Sequence, residues 1–328
     1  MQDFRQRLNE IKRPIIFVLI LLVLFLEVSR QITKASFKDD NMIANRNKNI
    51  IKIQKEEKDT IDVLMVGDSE SYSSFSPMQM WTDHGITSFV CGQSGQKIQE
   101  TYYMLKTVFH NQSPKVVVLE TNTLFRAQVG LSGLKESVID KSTYYLPIFR
   151  YHDIWKPIFF GKKYAEDSYK GFLLQGAVVP YEGGEYMNMT TDKAEISGMV
   201  QEYMEKIISL CKENNASLCL ISAPSPVNYN SAKHNALQQY ADLNSLPYED
   251  LNLKQQELGI DWKYDTQDRG DHLNLAGAQK VTGFLGNYLA QNYRLKDHRK
   301  DCSYQSWSEK AKSYQTKEAE VMALIRKK

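Results

Sequence analysis

Residues Val63 to Tyr72 read VLMVGDSESY, four apolar residues followed at once by Gly67, Asp68 and Ser69. A strand that stops on such a turn carries Ser69 to the carboxyl edge of its sheet, where open α/β folds build their sites. Alone the tripeptide is equally an ordinary turn and helix cap. Two further apolar runs deliver polar groups to the same edge: one ends in Cys91-Gly92-Gln93-Ser94-Gly95, the other in Leu119-Glu120-Thr121-Asn122. Glycine at 92 lets the backbone come close and aim an amide at a developing oxyanion, and the Asn122 side chain offers a second donor. A hydroxyl nucleophile beside two donors suits acyl transfer.

Such a nucleophile needs a base, and the chain supplies a candidate late, in Asp268-Arg269-Gly270-Asp271-His272-Leu273-Asn274-Leu275. His272 stands beside two carboxylates, either of which would hold the imidazole tautomer and stabilise its protonated form. Asp268 is preferred to Asp271, because adjacent side chains in extended chain point apart. Asp68 and Glu120 place two more carboxylates near the same edge. The pair His152-Asp153 has no partners at ligand spacing, so no metal is expected, and nothing in the sequence calls for a cofactor.

The elements that must hold these groups alternate. Short β-rich runs at 62–67, 86–92, 115–122 and 217–224, with a shorter one at 248–251, are separated by stretches of helical period at 97–110, 199–211 and 275–289. That pattern predicts an α/β domain, a parallel sheet covered by helices on both faces. Residues 126–191 break the rhythm with an aromatic- and glycine-rich insertion, read as a cap or substrate platform.

The four blocks, taken in order, resemble the SGNH (GDSL-type) hydrolase superfamily over roughly residues 61 to 291. The resemblance implies a flavodoxin-like three-layer fold, Ser69 as nucleophile and His272 as general base. It also implies an oxyanion hole from the Ser69 and Gly92 amides and the Asn122 side chain. Two departures stand out: the third block usually reads Gly-x-Asn-Asp where this chain has Glu120-Thr121-Asn122-Thr123, and the usual Asp-x-x-His spacing would put the acid on Arg269. Within the superfamily, an amino-terminal anchor with an aromatic insertion is similar to the membrane-anchored branch that includes the teichoic-acid D-alanyl-transfer and the alginate and cellulose O-acetylation proteins. That likeness implies a membrane-bound O-acyltransferase as partner and a cell-envelope polysaccharide or teichoic acid as acceptor. A non-catalytic, polymer-binding accessory subunit is the alternative.

At 328 residues, 42% of them hydrophobic, the chain can bury one sizeable core plus an anchor and a tail. Its 41 basic and 39 acidic side chains nearly cancel, which leaves no field for nucleic acid. Pro14 to Val28 reads PIIFVLILLVLFLEV behind Arg5, Arg7, Lys12 and Arg13. The reading is a single-pass type II anchor in the cell membrane, with the basic end in the cytoplasm and the catalytic domain outside; a cleaved signal peptide is the rival. The expected organisation is a cytoplasmic end at 1–13, a bilayer anchor at 14–30, a polar stalk at 31–60, the catalytic domain at 61–294 and a basic helical tail at 295–328. Cys91, Cys211, Cys219 and Cys302 show no metal or disulfide framework and read as buried small residues, with a Cys211–Cys219 pair across a helix-to-strand turn as the alternative.

Overall fold

The computed structural model describes residues 2–126, 130–161, 163–164 and 168–328, with side chains from residue 12 onward. Met1 of the expected cytoplasmic end, and 127–129, 162 and 165–167 of the expected insertion, lie outside the described residues.

The apolar runs form five strands: β1 (Val63–Gly67), β2 (Ser88–Gly92), β3 (Val116–Glu120), β4 (Ser217–Ser222) and β5 (Tyr248–Asp250). All pair in parallel, in the order 2-1-3-4-5. Val63 sits opposite both Ser88 and Val116, and Val116 opposite Ser217, so the central strands are in step. Every residue of β1, β2 and β3 is buried, as befits strands covered on both faces. Helices Ile98–Val108, Gly198–Glu213 and Leu275–Asn292 stand where the helical period placed them. Met65, Val90, Val118 and Ile221 share one core cluster with Phe75, Leu285 and Leu289. The strand order reverses direction at β1, between β2 and β3, and doubly wound sheets open their crevice at such a switch point.

The third run is shorter than its sequence suggests. The strand stops at Glu120, whose side chain accepts from the Asn122 amide at 3.0 Å and caps a 3-10 turn, Thr121–Phe125. Asn122 therefore sits in that turn and not on the strand.

Contacts divide the chain into two compact units, residues 1–48 with 138–165, and residues 49–137 with 166–328. The first holds the long helix Gln2–Lys38 and the short helices Pro147–Arg150 and Trp155–Phe160. Within it Lys12–Lys38 is long and apolar enough to cross a membrane.

The second unit holds the sheet and more besides. The helix Lys48–Gln54, in the stretch read as a polar stalk, buries Ile50, Ile51 and Ile53 completely. The tail read as basic and helical forms the helix Gln305–Ile325, which buries Trp307 and Tyr314. His298 Nε2 lies 2.6 Å from Asp62 Oδ2, and Tyr314 shares a 3.0 Å hydrogen bond with Ser76. All four cysteines are free thiols, so Cys211 and Cys219 are not paired. Cys302 corrects the expectation of burial: it is exposed, because it opens a surface 3-10 turn, while the other three are buried.

Candidate active site

Asp68 fixes where the chain turns after β1. Its Oδ1 accepts from the Glu70 amide at 3.0 Å, an N-cap that starts the helix Ser69–Ser74 and makes Ser69 its first residue. Its Oδ2 accepts from Asn122 Nδ2 at 2.9 Å and pairs with Arg126 Nε. One hydrogen of the Asn122 amide is thus committed to Asp68, and the other is free to donate. Ser69 is 7% exposed, and its hydroxyl makes no hydrogen bond among the described residues.

Gly92 ends β2 directly against this turn. A Cβ there would stand 2.2 Å from Ser71 Oγ and 3.0 Å from the Asp68 carbonyl oxygen, so only glycine admits the approach.

His272 reaches the same edge from the loop before the last sheet-covering helix. Its backbone N–H donates to Asp268 Oδ1 and its Nδ1 to Asp268 Oδ2, both at 2.7 Å. Asp271 Oδ2 stands 3.7 Å from Nδ1, and Asp271 Oδ1 accepts instead from Asn228 at 2.7 Å. The intervening turn takes up the extra residue of the Asp-x-x-x-His spacing by running through two left-handed positions, Arg269 at φ 66° and Gly270 at φ 85°. With Nδ1–H held by Asp268, Nε2 is the acceptor nitrogen; it is buried and has no hydrogen-bond partner among the described residues. Ser69 and His272 are therefore not hydrogen-bonded to each other in this structure.

Glu70 is among the residues that sequence reasoning missed. It is fully buried beside the candidate nucleophile, and it, Asp271 and His272 each offer an atom within 4.8 Å of the others. Asn228 Nδ2 bridges Glu70 Oε1 at 2.5 Å and Asp271 Oδ1 at 2.7 Å, while Glu70 Oε2 is left without a partner among the described residues. Two carboxylates and an imidazole so close have the composition of a cation site, whereas the sequence leads to none. A cation on these three would take the imidazole out of proton transfer.

Burial, reinforced by the charges of Asp68 and Glu120, pushes the Glu70 carboxyl well above its usual range. Burial and Asp68 do the same to Glu120, whose Oε1 accepts from Tyr229 Oη at 2.5 Å. The site is thus a buried cluster of carboxyls in which burial and the neighbouring negative charge both favour the protonated forms of Glu70 and Glu120. Lys233 closes one side, its Nζ donating to the Asn228 carbonyl at 2.5 Å, and burial pulls its ammonium pKa down.

The structure thus joins Asp68 with Asn122, and His272 with Asp268, and sets Asp271 beside them. Arg126, Asn228, Tyr229 and Lys233 carried no motif. Their one signal is position, since they follow β3 and β4, whose ends meet the same edge as the end of β1.

No protein-family model matches the chain, and no curated protein matches it. Among solved structures it is similar to a Bacteroides fragilis protein provisionally assigned as an acylhydrolase, at 13% identity and a TM-score of 0.40, over 75% of this chain and 96% of that one. It is similar too to a GDSL-like lipase from Bacteroides thetaiotaomicron, at 14% identity and a TM-score of 0.39, over 76% of this chain and 98% of that one. An acetyl xylan esterase aligns at 17% identity and a TM-score of 0.38, over 70% of this chain and 98% of that one.

Proposed function

We propose that this chain is an extracytoplasmic serine acyltransferase or esterase of the SGNH type. In this reading it is held by its amino-terminal helix and acts on O-acyl groups of a cell-envelope glycan or teichoic acid. The observation that carries the reading is the His272–Asp268 pair: a carboxylate at 2.7 Å fixes Nδ1–H and leaves a buried, unengaged Nε2 at the sheet edge that Ser69 also occupies.

In this mechanism Ser69 Oγ attacks the ester carbonyl while His272 Nε2 accepts its proton. The Ser69 and Gly92 amides and the free Asn122 Nδ2 hydrogen receive the oxyanion. The protonated imidazole then returns its proton to the departing alcohol, leaving an acyl group on Ser69. A sugar or polyol hydroxyl, deprotonated by His272, takes the acyl group in transfer; water takes it in hydrolysis. The acyl donor in transfer would come from a membrane-bound O-acyltransferase that passes an acyl group outward across the bilayer.

One observation favours a second reading. Ser69 has no hydrogen bond to the imidazole, a feature that a non-catalytic, polymer-binding subunit would tolerate. Resting enzymes also tighten this contact only with substrate bound. Incubation with a serine-reactive phosphonate followed by mass spectrometry separates the two. The catalytic reading expects one adduct, on Ser69, and its disappearance in His272→Ala. A folded chain whose Ser69 stays unmodified refutes it.

A further inference from the structure

The unit formed by residues 1–48 and 138–165 leaves large apolar side chains in the open, and they do not lie at random. Phe149 meets Phe25 with ring centroids 5.8 Å apart, and the Ile148 amide donates to Ser29 Oγ at 3.2 Å. The short helix Pro147–Arg150 is therefore docked on the last turn of the apolar stretch of the long helix. The next helix, Trp155–Phe160, keeps Pro157 inside the unit, and the preceding turn buries Tyr151 and Ile154. Its other residues face outward: Trp155 is 45% exposed, Ile158 58%, Phe159 77% and Phe160 72%. A water-facing helix six residues long has no reason to show four large apolar side chains side by side.

The length of the anchor says what covers them. From Ile15 to Val28 every residue but Phe25 is exposed and all but Glu27 are apolar, a run of about 21 Å at the α-helical rise of ~1.5 Å per residue. A bilayer's hydrocarbon core is about 30 Å thick, so the helix Lys12–Lys38 crosses it with this run at its apolar centre and more polar residues at its ends. The docked helices add apolar and aromatic surface beside the outer end of the run, at Phe25 and Ser29, where the helix turns polar. Trp and Phe on a short helix beside the point of exit are the composition of an interfacial element.

We propose that the helices Pro147–Arg150 and Trp155–Phe160 form a collar around the exit point of the anchor, with Trp155, Ile158, Phe159 and Phe160 sunk into the outer leaflet of a lipid bilayer. The proposal rests on the membrane-anchor reading above and is independent of the serine chemistry. It replaces the role of substrate platform for this part of the insertion.

The test uses the full chain in phosphatidylglycerol–phosphatidylcholine vesicles whose acyl chains carry bromine near the headgroup. The emission of Trp155 is taken as the difference between the native chain and Trp155→Phe. The collar expects that component to lose most of its intensity to bromine and to be shielded from aqueous iodide. Replacing Phe159 and Phe160 by serine should restore iodide quenching while the chain still resists carbonate extraction. A Trp155 signal indifferent to bromine overturns the proposal, whether iodide reaches it, as for a solvated face, or not, as for a face covered by protein. Persistent bromine quenching after both phenylalanines are replaced overturns the role given to those side chains. No turnover is read, so failure here leaves the reading of Ser69 and His272 untouched.

Discussion

Asp268 takes both the backbone N–H and the Nδ1–H of His272, each at 2.7 Å, while Asp271, next to the histidine in sequence, stands 3.7 Å from the same nitrogen and is tied to Asn228. If His272 is the base of the proposed mechanism, the carboxylate that holds its tautomer is the one whose loss misdirects it. Asp268→Asn should lower kcat on a small acetyl ester by about 10²- to 10⁴-fold with little change in folding. Asp271→Asn should cost less than about tenfold. Initial rates and circular dichroism on the two variants check this; a larger loss in Asp271→Asn would reverse the assignment, and equal losses would remove the preference for Asp268.

The loop that makes this contact depends on Gly270. Its φ is 85°, and a Cβ there would stand 3.0 Å from Pro226 Cγ and 3.1 Å from the Tyr181 ring. Gly270→Ala should therefore destabilise the chain by about 1–3 kcal/mol, from left-handed strain and crowding together. Because Asp268 and His272 lie on either side, kcat should fall in the same variant. Urea unfolding gives the first quantity and ester turnover the second; a variant as stable and active as the native chain would contradict the geometry.

Stability should fall as the solution becomes more basic. Glu70 and Glu120 hold their protons above the ordinary carboxyl value of 4.5, first because they are buried and next because Asp68 is near. The unfolded chain releases those protons near 4.5 and the folded chain only at higher pH. Between the two the native state binds more protons, so the stability they confer is complete below about 4.5 and is lost as pH rises toward the folded values. Glu70→Gln, which cannot ionise, should flatten the decline over the range above 4.5. Urea midpoints across that range measure it, and parallel profiles would place the strain elsewhere.

Thiol chemistry offers a simple check of the packing. Cys302 alone is exposed, whereas burial pushes the Cys211 thiol up to about 12 and the Cys219 thiol up to about 11. Iodoacetamide on the native chain should label one cysteine, Cys302, and in denaturant all four. Mass spectrometry of the peptides reads the result directly.

The sheet was legible because doubly covered strands must be apolar throughout, and runs such as Val116–Leu119 have no other use at that length. Elements that bury only part of a short segment were not. Ile50, Ile51 and Ile53 fill the core from a seven-residue helix, too brief to show a period against the charged residues around it. The insertion held its helix Gly130–Tyr145 out of sight for a related reason, since only Gly133 in it is buried. In the candidate site, the residues delivered by strand ends could be named from sequence. Glu70 could not, because what defines it is Asn228, 158 positions away, and no local pattern encodes that meeting. The bond from Asp268 to His272 likewise comes from a turn through two left-handed residues and not from the extended chain that the sequence suggested.

The links between Asp62 and His298, and between Ser76 and Tyr314, join segments 236 and 238 positions apart. A ribosome making this chain from its amino end releases β1 long before the partners that close over it exist. The native pairing around β1 can be completed only after the chain has been made through Tyr314, so the nascent sheet waits more than 200 residues for the contacts that close over it.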